Sequence, residues 1–424
     1  FDRSMEGSDH RVSLLPQEFA RMVEGIRQVE EAVGAAGPRR LTQGEMMNRV
    51  TLAKSVFASV DIPAGTVIEA GMLEVRSPGR GLQPNRKLEL VGRRLTRDVP
   101  AGTPFFASDL DERPQAQTAG GRRSYRFTRP WGIPVRHHDH ARLLTLCAPD
   151  FLEFHLSYRD LELHDEDFFP SGRLPIGLVV HAPELFAGDH LLDLTSPDEA
   201  YRQRSLHEMR RVIDKARSLR RFFTCDGPTG IVTNVGGFSE DRALTPAERE
   251  QRRRLLAKSL SELDTTDVAI WPQTMPPYPW HFGGQRFHNL FVEADEIDEL
   301  CTSLGIGLCL DVSHSKLACT FLRHSFDGFV RAIGRHVRHL HVADAAGVDG
   351  EGLQVGEGEV DFRSLFEILD EVSPRATFLP EIWQGHENDG EGFWVALDRL
   401  QKMVRGAGEP DTAADAGRHT ALRR

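Results

Sequence analysis

The sequence predicts an α/β protein built around a (β/α)8 barrel, with a small β-rich domain in front of it. Two observations predict the barrel. From about Phe127 onward, short apolar runs alternate with amphipathic helical stretches, and eight such runs over about 280 residues match the size of that fold. A doubly wound sheet is the alternative, but no glycine-rich phosphate loop follows the first run, as a dinucleotide-binding sheet would require. The runs are Ile133–Val135, Phe151–His155, Ile176–His181, Ile231–Val235, Val268–Trp271, Gly307–Asp311, Val337–Val342 and Thr377–Pro380. Helical periodicity follows several of them, most clearly over Pro197–Phe222 and Pro246–Glu262.

At 424 residues the chain exceeds one ordinary core, so two or three domains are expected. A formal charge of −11 disfavours nucleic-acid and anionic-membrane partners. No apolar run approaches a membrane span, and the N-terminus lacks a charged-then-apolar leader pattern. The five cysteines (Cys147, Cys225, Cys301, Cys309, Cys319) form no CxxC pair and lie mostly in apolar segments. Buried free thiols in a reducing cytoplasm are therefore expected. The chain starts at Phe1 rather than Met, and a truncated N-terminal domain is the expectation.

Ahead of the barrel, Pro16 opens a helical segment over residues 16–35, with apolar residues at Phe19, Met22, Val23 and Ile26 and a closing Gly34. Pro38–Asn48 reads as a linker. Residues 50–111 carry an internal echo: Asp61-Ile62-Pro63-Ala64-Gly65-Thr66 recurs as Asp98-Val99-Pro100-Ala101-Gly102-Thr103. In each copy Pro and Gly suit a tight turn before a β-prone stretch. The expected organisation is 1–48, a barrel remnant plus linker; 49–112, the β-rich domain; 113–126, a linker; 127–407, the large barrel; and 408–424, a flexible tail.

The chemistry is expected where a barrel of this kind carries it, at the C-terminal ends of the strands. His181 ends the third run, Asp311-Val312-Ser313-His314 the sixth, and Glu381 the eighth, while the seventh carries His339, His341 and Asp344. Mixed imidazole and carboxylate donors suit Mn²⁺, Zn²⁺ or Co²⁺ better than an all-oxygen Mg²⁺ site. Asp311, His341 and Glu381 are the leading ligands, with His314 and His181 as further ligands or substrate contacts. Glu381, Glu351 and Glu357 are the candidate proton-transfer groups. Trp280, in a stiff Pro-rich loop after the fifth run, and Trp383 and His386, after the eighth, are candidate walls for a sugar ring.

Val180-His181-Ala182-Pro183, Asp311-Val312-Ser313-His314, His341-Val342-Ala343-Asp344, Gly356-Glu357-Gly358 and Pro380-Glu381 together resemble the xylose-isomerase-like barrel superfamily of sugar isomerases, epimerases and endonuclease IV. The resemblance spans about residues 130–405. It implies a metal-binding glutamate at the end of the fifth strand, where this chain has Gln273. Gln273 can coordinate or contact substrate through its carbonyl oxygen but cannot act as a base. The nuclease branch adds a strand-four histidine and an Asp-x-His, and this chain reads Asn234-Val235-Gly236 and Asp349-Gly350-Glu351-Gly352 there. One metal rather than a cluster is implied.

The segment from Ala53 to Arg93, including Asp61–Ile68 and Met72–Leu82, resembles the SAF (antifreeze-like) domain that ends sialic acid synthases. Upstream, Asp2–Leu14 is similar to the last active-site loop of the synthase barrel. Such synthases condense phosphoenolpyruvate with an N-acetylated hexose on a divalent metal, as homodimers in which one subunit's SAF domain covers its partner's site. The resemblance implies that Asp9 contacts the acceptor sugar and that Arg76 or Arg80 stands in for the family's SAF arginine, because Ser77-Pro78-Gly79 replaces its Arg-Pro-Gly. Most of the synthase barrel lies outside this sequence, so the condensation is incomplete in it. The expected function is sugar chemistry in nonulosonic acid biosynthesis, with a sugar isomerase or epimerase barrel fused to a synthase tail. A metal-dependent hydrolase or lyase, and a degenerate sugar-binding barrel, are the alternatives.

Overall fold

A computed structural model describes residues 2–4, 6, 7, 9, 12–34, 43–110, 122–169, 172–225, 227–281 and 284–405. The chain divides into two compact units, Phe1–Thr42 and Gln43–Arg424. The first contains the helix Pro16–Val33, entered through Pro16 at a position that needs no backbone donor. Residues 35–42 lie outside the described set, and the rest of the expected linker belongs to a helix, Gln43–Leu52.

The small domain of the second unit is held together by its echoed turns. Ile62 and Val99 exchange both backbone hydrogen bonds at 2.9 Å. The two aspartates of the repeat cross over: Asp61 Oδ1 accepts from the Ala101 amide and Asp98 Oδ1 from the Ala64 amide, both at 2.7 Å. Each carboxylate thus caps the other copy's turn, a pseudo-twofold arrangement that follows from repeating Asp-x-Pro-Ala-Gly-Thr. Strands Ser55–Ala58 and Leu73–Arg76 pair antiparallel, and Val56, Ile62, Ile68, Leu90, Val99 and Phe105 fill a separate core.

The barrel strands are β1 Gly132–Val135, β2 Phe151–His155, β3 Gly177–His181, β4 Thr229–Thr233, β5 Val268–Pro272, β6 Leu308–Asp311, β7 Val337–Val342 and β8 Thr377–Pro380. All neighbours run parallel. Two parallel bridges close the ring, Gln273 to Cys309 between β5 and β6, and Trp131 to Phe378 between β8 and β1. The eight strands overlap the eight predicted runs, the fourth starting two residues earlier, at Thr229. Helices Glu199–Arg220 and Pro246–Ser261 fill the predicted crossovers, capped by Asp198 and by a Thr245/Glu248 capping box.

Alternation along each strand sends every second side chain into the lumen. Phe151, Val179, Val232, Cys309 and Leu379, with Trp271, form an apolar floor. Glu153, His155, His339 and His341 approach one another on the same inner face. The outward-facing residues pack on the helices in one continuous core that includes Ile133, Phe154, Val180, Ile231, Leu310, Leu340 and Phe378. All five cysteines are free, and all but Cys225 are buried. Among the described residues no helix is long and apolar enough to cross a membrane.

Candidate active site

A cavity of about 350 Å³ opens at the strand ends, lined by His155, His181, Glu184, Gln273, Asp311, His314, Glu351, Glu381, Trp383 and His386 among others. His341 lies beneath it, fully enclosed, with its ring clamped at both nitrogens. Nε2 is 2.9 Å from Glu153 Oε1, and Nδ1 is 2.6 Å from Glu381 Oε2. Glu153 is a buried carboxylate inside β2; its Oε1 is also 2.8 Å from His155 Nε2, and its Oε2 2.7 Å from His339 Nε2. Burial alone would neutralise it, yet the facing His341 and His339 hold its pKa well below the ordinary 4.5.

An ionised Glu153 can only accept, so His341 Nε2 carries a proton and Nδ1 is the nitrogen turned toward the other donors. Around Nδ1 stand Gln273 Nε2 at 3.3 Å, Asp311 Oδ2 at 3.9 Å and Glu381. Donor atoms of His181, His341 and Glu381 lie within 4.8 Å of one another. Two deeper groups, Glu153/His155/His341 and Cys309/His339/His341, meet the same criterion. Glu153, Cys309 and His339 do not line the cavity, so only the first group faces it from both His181 and Glu381. This donor set, two imidazoles and a carboxylate with Asp311 beside them, fits a divalent ion of the Mn²⁺, Zn²⁺ or Co²⁺ type.

Electrostatics show which of these donors hold a proton that a metal would have to displace. Burial opposes protonation of His341, but Cys309, Glu381 and Glu153 overcome it and raise its pKa well above 6.5. His181 goes the other way: burial and then the neighbouring His155 lower it to about 4, leaving a neutral ring with a free lone pair. Burial also raises Asp311, which accepts a 2.9 Å bond from the Gln273 amide. Asp311 does a second job: its Oδ1 caps the helix Val312–Leu322 by accepting from the His314 amide at 2.8 Å.

His314 stays beside the donor group, its Nδ1 3.4 Å from Asp311 Oδ2. Its Nδ1 is also 3.0 Å from the Thr274 carbonyl and its Nε2 3.0 Å from Glu351 Oε1, so both nitrogens face acceptors. Burial opposes charge on His314, but Asp311 and Glu351 outweigh it and lift its pKa to about 10. The resulting ion pair fixes Glu351 on the cavity wall. Glu184 also lines the cavity; burial raises its pKa to about 6, with His314 opposing and Glu351 and Glu381 adding to the shift.

The structure scatters the other predicted residues. Gln273, Trp383 and His386 line the cavity with Asp311 and Glu381. Asp344 is buried and its carboxylate accepts from the amides of Ala345, Gly356, Gly358 and Val360 at 2.9–3.0 Å, so it builds the Gly356-Glu357-Gly358 loop and does not face the substrate space. Glu357 pairs with Arg399 at 2.9 Å and is not among the lining residues. Arg76 lies over the Phe57 ring and donates to the Gly102 carbonyl within the small domain. Asp9 belongs to the first unit, where its side chain is exposed. The Trp280 side chain lies outside the described residues. The sequence reading passed over Glu153, His155 and Glu184. The signal for the first two was present: Glu153 and His155 sit at i and i+2 in an otherwise apolar strand, the spacing that points both into the lumen.

Three family models match the chain: one described as xylose isomerase-like TIM barrel over residues 172–403, an SAF domain over 53–111, and the NeuB family over 1–37. A pseudaminic acid synthase of Campylobacter jejuni is 35% identical over 109 residues, 26% of this chain and 31% of that protein. Human N-acetylneuraminate-9-phosphate synthase is 39% identical over 95 residues, 22% of this chain and 26% of its own length. The chain thus spans about a third or less of the curated relatives it matches. Among solved structures, a D-tagatose 3-epimerase-like protein aligns at 19% identity and a TM-score of 0.48, covering 65% of this chain and 98% of that one.

Proposed function

Because the chain belongs to the xylose isomerase-like TIM barrel family, we propose that its barrel is a divalent-metal-dependent sugar isomerase or epimerase serving nonulosonic acid biosynthesis. One observation carries the reading: His341 is held by buried Glu153 so that Nδ1 faces His181, Asp311 and Glu381 at the cavity floor. A histidine whose far nitrogen is fixed by a carboxylate is the arrangement that orients and strengthens an imidazole ligand. His181, Asp311, His341 and Glu381 would hold the ion, with the Gln273 amide spanning the gap between His181 and Asp311.

When bound, a divalent ion supplies Lewis-acid polarisation of a sugar carbonyl or hydroxyl pair. The protein's own groups do the rest. Glu381, with one oxygen on His341 and the other 3.7 Å from His155 Nδ1, takes the proton from the carbon next to that carbonyl. Glu351, anchored by His314, moves a proton at a sugar oxygen from the other wall. Gln273 has no acid–base function and orients by hydrogen bonding. Trp383 and Phe393 line the space beside Glu381 and exclude water from one face of the ring.

The N-terminal third supports the pathway assignment through its NeuB and SAF matches. In this reading the synthase-type region uses phosphoenolpyruvate and an N-acetylhexosamine, and the barrel acts on a precursor or product of that step. The test is turnover in deuterated water with the metal-loaded chain and a set of N-acetylhexosamines and their phosphates. Incorporation of one solvent deuteron without other mass change is expected. A change in substrate mass would assign a hydrolase or lyase, and metal binding without turnover or exchange would leave a sugar-binding barrel.

A further inference from the structure

The cavity is acidic at its floor, with Asp311 and Glu381, and on its wall, with Glu184 and Glu351; on the β8–β1 side it also carries Arg136 and His386, beside Asp139. Arg136, the first residue after β1, lines the cavity. Its Nη1 donates to the His155 carbonyl at 2.6 Å. Among the described residues no carboxylate oxygen lies within 4.0 Å of its guanidinium, whereas nearby Arg142 is paired with Asp389 at 2.8 Å. His386 shares the same rim. Burial lowers its pKa, and Arg136 and Arg80 push the same way against Glu387 and Asp139, so both guanidiniums act on this ring.

Arg80 comes from the small domain. It sits 3.8 Å from Glu387 Oε1, which is itself 3.6 Å from His386 Nε2. The loop that presents it is built to stand still. A Cβ on Gly79 would fall 2.3 Å from the Arg49 carbonyl oxygen, and one on Gly81 would fall 2.5 Å from that of Phe105. Both neighbours of Arg80 are therefore flush against backbone, which only glycine permits. The Gly79 amide is bonded to Val50 O at 3.0 Å and that of Gly81 to Ser55 Oγ at 2.8 Å. Across the joint, Ser108 Oγ donates to Glu391 Oε2 at 3.0 Å and Asn388 Nδ2 to Ser108 Oγ at 3.3 Å. The small domain is thereby fixed to the segment that carries His386 and Glu387.

We infer that the barrel's substrate is an anionic sugar whose phosphate or carboxylate is received at the mouth by Arg136, with His386 beside it and Arg80 of the small domain completing the subsite. The inference rests on the sugar-binding reading of the cavity. It adds an orientation: repulsion from the acidic floor and attraction at the mouth place the charged end away from Glu381 and the carbonyl end toward it. It also gives the small domain a task toward the barrel of its own chain. A guanidinium with unused donors recognises phosphate and carboxylate alike through paired N–H bonds.

The experiment uses the whole chain, with and without Mn²⁺, and matched probes: glucosamine 6-phosphate against glucosamine, glucuronate against glucose, and inorganic phosphate alone. A charge-assisted contact of this kind makes the anionic member of at least one pair bind about tenfold more tightly, less so at high salt. Which pair shows the larger ratio tells phosphate from carboxylate. Arg136→Gln abolishes the advantage and Arg80→Gln reduces it about threefold, while Mn²⁺ stoichiometry stays that of the parent in both. Equal binding of charged and neutral partners, survival of the advantage in Arg136→Gln, or no measurable binding of any anionic probe overturns the inference. An intact anion preference in a chain that takes up no Mn²⁺ supports it while sinking the metal reading.

Discussion

Replacing Glu153 by glutamine probes the metal reading at a residue that the ion itself need not touch. Glu153 is completely buried and stands 2.9 Å behind His341. The amide keeps the size and removes the charge, so His341 loses the charged acceptor that fixes the proton on Nε2, and the Gln NH2 can take its place there. Loss of such a supporting partner lowers metal affinity about 10- to 100-fold, equivalent to about 1.4–2.8 kcal/mol. The metal-free fold suffers separately, because uncompensating a buried charge pair costs about 3–5 kcal/mol against under about 1 kcal/mol for an exposed one. The assay is calorimetric titration of Mn²⁺ into chelator-stripped protein, with near-ultraviolet circular dichroism as the check on folding.

The sign of the pH effect follows from the two shifts. Glu153 is depressed, so its contribution is present above its ordinary 4.5 and is lost as pH falls through the folded value. His341 is raised, so its contribution is complete below its ordinary 6.5 and is lost as pH rises through the folded value. Metal-free protein is therefore most stable between those two limits, and Glu153→Gln flattens that maximum. A folded Glu153→Gln protein that binds Mn²⁺ as tightly as its parent would refute the proposed grip on His341.

Three other outcomes are expected. Asp311→Ala or His341→Ala removes most bound metal by elemental analysis while the small domain stays folded, since its core is separate from that of the barrel. Glu351→Gln breaks the 3.0 Å pair with His314; bound Mn²⁺ is kept and solvent-deuteron exchange slows about 100-fold or more. Glu184 has a pKa raised to about 6, so the stability it lends is whole below 4.5 and is lost as pH rises through 6. Glu184→Gln therefore stabilises the protein at pH 7 by about 1–2 kcal/mol in denaturant melts, and an unchanged midpoint at pH 7 speaks against a buried acid there.

Much of the fold was legible because it depends on local pattern. The eight barrel strands appear as apolar runs buried on both faces, and the crossover helices as amphipathic stretches with Asp198 and Thr245 at their starts. The turns of the small domain were visible because Pro and Gly dictate them wherever they occur. Strand ends carry the polar residues of a barrel, so His181, Asp311 and Glu381 could be named from position alone. The helix Gln43–Leu52 was missed because Pro38 and the polar residues after it read as linker chemistry.

Which of those polar groups face one another is a matter of the assembled fold. Closing the barrel brings β2 alongside neither β6 nor β7 in sequence, yet sets Glu153 against His339 and His341 across the lumen. His314 meets Glu351, and four backbone amides claim Asp344. The meeting of Arg80 with the rim segment that follows β8 likewise depends on how two separately cored domains join. The elements and the inventory of donors are readable along the chain, because strand period and turn chemistry act within a few residues. Their pairing depends on distance through space, and that is set by closure of the barrel.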